Sequence, residues 1–194
     1  TKETREDGKA KGKYVTISQT LNQKELISKW AEHLRGERSL GIVPIDEDNM
    51  CVWGAIDIDD YPLDLKGLSK KIKKFKLPLV VTRSKSGGAH IFLFVFDPVP
   101  CSLMQRKLRQ ISAAIGFGQS EVFPKQTQLL LERGDRGSPL QMPYFGGEDS
   151  TSYGFNGTGG VLTPKKFLEY CDNIVLTEEE LEKLEVSPII EDAE

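Results

Sequence analysis

With 194 residues, 38% of them hydrophobic and 28% charged, the chain has the length and composition of one globular domain or two tightly joined lobes. No apolar run approaches the roughly 20 residues that span a bilayer, and the polar start (TKETREDGKAKGK) lacks a signal-type hydrophobic region, so a cytoplasmic, membrane-free protein is expected. The three cysteines, Cys51, Cys101 and Cys171, are widely spaced and outside any CxxC pattern, which argues against a disulfide framework or a zinc site.

The net charge of −3 and a pI near 5.6 argue weakly against a nucleic-acid partner. The distribution is uneven, however. Acid collects after Thr177, while Lys66, Lys70, Lys71, Lys73, Lys74 and Lys76 crowd one short segment and Arg106, Lys107 and Arg109 another. Residues 1–13 read as a flexible polar lead-in, 14–176 as one catalytic domain and 177–194 as an acidic C-terminal segment. The first residue, Thr1, suggests a piece of a longer protein in which an accessory domain lies elsewhere.

In chain order, Asn22 and Glu25 form a capping-box pattern that opens an amphipathic helix through Leu26, Ile27, Trp30 and Leu34, closed by Gly36. Leu40–Pro44 and Val52–Ile58 read as strands around a turn at Asp46–Asn49, which predicts a hairpin. A lysine-rich helix over Leu65–Phe75 is expected to face Leu68, Ile72 and Phe75 inward. Strands follow at Leu77–Thr82 and His90–Phe96, then a helix from Leu103 to Ile115 stopped by Gly116. Short strands are expected at Ser120–Phe123 and Gln128–Leu131, a long glycine-rich loop from Gly134 to Gly160, and helices at Pro164–Tyr170 and Glu178–Leu184. The order is mixed α+β and not a strict βαβ alternation.

Three segments carry chemistry. In WGAIDIDDY (Trp53–Tyr61), the period-2 alternation of a strand places Asp57 and Asp59 on one face, and two converging carboxylates call for a neutralising cation of the Mg²⁺ or Mn²⁺ type. Taken alone, the pair reads equally well as two solvated acids at a strand end. In TRSKSGGAH (Thr82–His90), Gly87 and Gly88 open the backbone, Ser86 adds a hydroxyl, Arg83 and Lys85 add charge, and His90 can donate to a phosphate, a set that suits a triphosphate. A plain hairpin with a packed histidine is the bland alternative. In SEVFPKQ (Ser120–Gln126), Glu121 is a candidate third metal ligand and Lys125 a candidate phosphate contact. Asp135, among glycines, is the rival third acid and also a turn former.

The order of these motifs resembles the archaeo-eukaryotic primase superfamily. The helix end at His33–Gly36, LGIVPIDEDNMCVWGAIDID, the SGGAH turn, EVFPKQ and GSPLQMPYFGG (Gly137–Gly147) are similar to the primase-polymerase domains of TOTE conflict systems and of some CRISPR-associated primase-polymerases, over roughly residues 16–165. The resemblance implies a split-RRM-like fold of mixed or antiparallel sheets flanked by helices, two Mg²⁺ or Mn²⁺ ions on Asp57, Asp59 and Glu121, and nucleotide contacts from Ser86 and His90. The third-motif acid is often Asp in relatives, so Glu121 keeps the ligand type with a longer arm. It further implies dNTP or NTP substrates, a single-stranded or primed DNA template met by the basic helices, and a possible helicase partner. A metal-dependent nuclease using Glu121 and Lys125, and a non-catalytic nucleotide- or single-strand-binding module, are the alternatives.

Overall fold

The computed structural model describes residues 15–17 and 20–187; the expected lead-in at 1–13 and the acids at Glu191, Asp192 and Glu194 lie outside them. The framework is a five-stranded antiparallel sheet built from β2 (Met50–Ile58), β3 (Val80–Arg83), β4 (Ala89–Pro100), β5 (Glu121–Phe123) and β7 (Gly154–Phe155). The spatial order is β5-β2-β4-β3-β7. A separate two-stranded ribbon pairs β1 (Gly41–Ile42) with β6 (Leu140–Gln141). The helices are α1 (Gln23–Leu34), α2 (Leu65–Lys74), α3 (Cys101–Ala114), α4 (Pro164–Asp172) and α5 (Glu178–Lys183). This is the α+β, antiparallel, helix-flanked architecture expected of a primase-type domain.

Strand alternation divides the core in two. On one face Ile56, Ile58, Val81, Ile91, Leu93 and Val122 pack against Leu68 and Ile72 of α2, Met104, Leu108 and Ile111 of α3, and Leu181 of α5. Gly54 permits the close approach of α3, because a Cβ there would lie 2.6 Å from the Leu108 side chain and 2.7 Å from that of Met104. On the other face Ala55, Val80, Phe92 and Phe123 meet Leu140 of β6, Met142 and Tyr144 just after it, and Phe167 and Cys171 of α4. The polar pocket described below lies on this second face.

Several expectations are corrected by tertiary pairing. Leu40–Pro44 and Val52–Ile58 form no hairpin: Gly41 pairs with Gln141 and Ile42 with Leu140, so the partner strand comes from the glycine-rich region. That region is not one long loop, since it supplies β6, β7 and a short 3-10 turn at Gly147–Asp149. Gln128–Leu131 is not a strand; the Leu129 N–H donates to the Asn49 side chain and a 3-10 turn follows at Leu131–Arg133. Phe75 caps α2 and is exposed, leaving Leu68, Ser69 and Ile72 as its buried face. The segment from 177 is not set apart, because Leu181 is fully buried and the Lys107 ammonium donates to the Glu182 and Leu184 carbonyls.

The capping box of α1 is present, but its apolar stripe is not the docking face: Leu26, Ile27 and Leu34 are exposed. The helix docks through its last turn instead. His33 is fully buried, its Nδ1 accepts from the Leu40 N–H at 2.9 Å, and Nε2–H therefore donates to the Pro143 carbonyl at 2.8 Å. One neutral ring thereby ties α1, the approach to β1 and the segment after β6. His33→Ala would leave a buried donor and a buried acceptor without partners, so we expect a loss of about 3 kcal/mol in urea unfolding; a change within error would show that this ring does not hold the segment.

Candidate active site

The sheet register gathers the polar residues. Asp57 on β2 pairs with Glu121 on β5 and with His90 on β4, and His90 pairs with Thr82 on β3, so one row crosses four strands on the second face. The next row on that face is apolar, with Phe123, Ala55, Phe92 and Val80, and it closes the site from beneath. Asp59 lies one residue beyond β2, exposed, and the turn from Ser84 to Gly88 crosses the strand end beside it. That turn depends on Gly88, where a Cβ would stand 2.1 Å from the Ile58 carbonyl oxygen.

These residues line a pocket of about 310 Å³ bounded by Asp57, Asp59, His90, Glu121, Lys125 and the Ser84–Lys85–Ser86 run, with Pro139, Leu140 and Gln141 as the far wall. A larger groove of about 730 Å³ elsewhere on this face is lined almost wholly by apolar side chains such as Trp53, Phe94, Phe96 and Leu168. The smaller, polar pocket is therefore where chemistry can occur.

The electrostatics are those of a site short of positive charge. Burial first, then the charges of Asp59 and Glu121, push the Asp57 carboxyl up to about 6, against an opposing effect of Lys125. His90 Nε2 lies 3.4 Å from Asp57 Oδ1, and burial lowers the His90 pKa although Asp59 and the Gln141 backbone oppose it. The ring is thus neutral at neutral pH. Glu121 is engaged by Lys125 at 2.5 Å, and the same ammonium sits 4.9 Å from the Phe123 ring centroid. Both side chains are well exposed, so this pair is readily rearranged.

The donor set fits a hard divalent cation: carboxylate oxygens at an open pocket, with one carboxyl pushed above the usual carboxylate range by burial and by its like-charged neighbours. As placed, no group of three or more His, Cys, Asp or Glu among the described residues is arranged to hold a metal ion, and Glu121 is paired with Lys125. Asp57 and Asp59 are the carboxylates that could hold such a cation, with Glu121 available as a third ligand only on leaving Lys125.

Of the sequence candidates, the fold brings Asp57, Asp59, His90, Glu121, Lys85, Ser86 and Lys125 to one pocket. Gly87 and Gly88 shape the turn without lining it. Arg83 is employed elsewhere, donating to the Thr151 carbonyl at 2.9 Å and the Ser84 carbonyl at 3.3 Å. Asp135 accepts from the Leu130 N–H and does not line the pocket. The basic helices also fall away, because α2 and α3 pack on the opposite face of the sheet and Lys107 is buried. Sequence reasoning missed Ser84 and the Pro139–Gln141 wall; the first follows the same alternation that exposes Ser86, and the second lies within the GSPLQMPYFGG stretch.

The chain matches the archaeo-eukaryotic primase domain of TOTE conflict systems over residues 3–153. A match of that extent places it in a class of primase-like nucleotidyltransferases. The chain belongs to the TOTE conflict system archaeo-eukaryotic primase domain family. Comparison with curated proteins gives no match. Among the described residues, no helix is long and apolar enough to cross a membrane.

The raised Asp57 pKa predicts a pH effect on stability. Below about pH 4 the carboxyl is protonated in folded and unfolded chains alike and no penalty applies. As pH rises from about 4 to about 6, the unfolded chain ionises the group while the folded protein still holds its proton, and the metal-free protein loses about 3 kcal/mol, a loss complete above about pH 6. Asp57→Asn should therefore be the more stable protein in chelator at pH 7.5, with the difference vanishing near pH 4. Equal melting curves at both pH values would remove the repulsion argument.

Proposed function

We propose that this chain is a template-dependent DNA primase-polymerase that joins nucleoside triphosphates. The observation that carries the reading is the convergence of Asp57, Asp59, Glu121 and His90 with the Ser84–Ser86 turn in one polar pocket. Two Mg²⁺ or Mn²⁺ ions held by Asp57, Asp59 and Glu121 would supply the charge that activates the attacking hydroxyl and neutralises the leaving pyrophosphate. The protein's own groups do the positioning. Lys85 and Ser86 face the pocket beside Asp59 and bind the triphosphate, and the His90 Nε2 edge, 3.4 Å from Asp57 Oδ1, is the donor that a phosphate oxygen would take over from that carboxylate. Lys125, once released by Glu121, offers a further cation to phosphate. The nucleic-acid strand enters from the open side of the same pocket, with base pairing reading sequence and the chain contacting backbone. The buried, free thiols at Cys51, Cys101 and Cys171 accord with action in the reducing cytoplasm, beside any accessory domain or helicase that supplies template.

Extension of a labelled, primed template with Mg²⁺ or Mn²⁺, and with dNTPs or NTPs separately, tests this. The intact protein should lengthen label, and Asp57→Ala/Asp59→Ala should abolish lengthening. Label shortened without nucleotides would favour a nuclease. Label unchanged under all four conditions, with nucleotide still bound, would favour a binding module. Within an active protein, Ser86→Ala should lower the extension rate by about 10²-fold if its hydroxyl serves the transition state, read from single-turnover kinetics.

A further inference from the structure

Tyr61, two residues after the second acid, belongs to neither core cluster and is 55% exposed. Its hydroxyl is nonetheless fully occupied. It lies 3.0 Å from Asp59 Oδ1 and 2.7 Å from Ser86 Oγ, and Ser86 Oγ lies 3.1 Å from Ser84 Oγ. These contacts form a continuous chain from the turn between β3 and β4 to the acid beyond β2.

Its polarity follows from donor counting. An ionised carboxylate only accepts and a phenol has one proton, so Tyr61 donates to Asp59. The same Tyr61 hydroxyl is the donor within reach of Ser86 Oγ, so its single proton serves Asp59 or Ser86 at one time, and Ser86 and Ser84 share a further hydrogen bond in which either hydroxyl can donate. The contact engages one carboxylate oxygen of Asp59 and leaves the other for a cation.

The geometry points to Tyr61 as a positioning residue that orients Asp59 for divalent-cation binding and ties that carboxylate to the serine turn, so that cation and triphosphate sites are set as one unit. It rests on the nucleotidyl-transfer reading for the ligands concerned. An exposed hydroxyl outside the core adds little to folding, so its effect belongs to the site. Outer partners that orient ligating carboxylates matter most through metal affinity, where their loss costs about 10-fold or more.

The test removes one atom. Mn²⁺ binding is followed by the electron paramagnetic resonance of the free ion, and binding of an α,β-methylene nucleoside triphosphate by calorimetry, in the wild type, Tyr61→Phe, Ser86→Ala and Asp59→Asn, with a melting curve for each. Tyr61→Phe should weaken Mn²⁺ binding about 10-fold and weaken the triphosphate as well, at an unchanged melting temperature. Ser86→Ala, which cuts the chain on the turn side, should affect the triphosphate more than Mn²⁺. If Tyr61→Phe binds both ligands like the wild type, the positioning role is wrong and the nucleotidyl-transfer reading stands. A fall in melting temperature that tracks the loss of affinity would make Tyr61 a merely structural residue and overturn the inference. Absence of any Mn²⁺ binding that Asp59→Asn removes would overturn both.

Discussion

Everything at the site depends on the pairing of β2 with its two neighbours. Antiparallel register places Asp57 opposite Glu121 on one side and His90 on the other. A strand side chain has only two directions available, and a slip of one residue would send all of one strand's polar groups into the apolar cluster beneath α2 and α3. The register is secured by what lies on the far side. Ile56, Ile58, Ile91 and Leu93 are fully buried there, so the acids stay on the pocket side because the isoleucines cannot leave the core.

The same pairing creates the electrostatic problem that defines the pocket. Two acids near the end of one strand and a third across from them raise the energy of the ionised state, and nearby cations compensate only in part: Lys125 favours the ionised form of Asp57 and holds Glu121. The wall formed by Pro139–Gln141 reaches the site because the fully buried His33 ring and the β1–β6 ribbon hold that segment, far from the acids in sequence. A polar pocket is thus built from an ordinary sheet face plus a second segment anchored by one histidine.

Much of this was legible in the sequence, for identifiable reasons. The DIDD strand, the SKSGGAH turn and EVF each declare themselves within ten residues, and local alternation suffices to orient their side chains. The capping box of α1 and the extents of α3 and α4 follow from equally local rules. What local rules cannot carry is partner choice. Gly41 and Ile42 pair across the domain with Gln141 and Leu140, and nothing within the 40–58 segment tells that pairing from a hairpin. Arg83 illustrates the same limit at the site: its charge beside a glycine turn suits a phosphate, yet the Thr151 carbonyl brought alongside by β7 takes the guanidinium. The lysines of α2 read as a template contact until the sheet is seen to stand between them and the acids.

The family match ends at Tyr153, one residue before β7 begins. Yet β7 covers the outer edge of β3, Phe155 fills the core beside Val81, and Leu181 of α5 is wholly enclosed against α3 and β4. The stretch of chain that carries recognisable ancestry is therefore shorter than the stretch that must fold together. A gene fragment trimmed to the edge of detectable relatedness would bring an open strand edge and an unfilled hollow into solution while retaining every acid of the pocket, and its silence in an assay would report on trimming, not on chemistry.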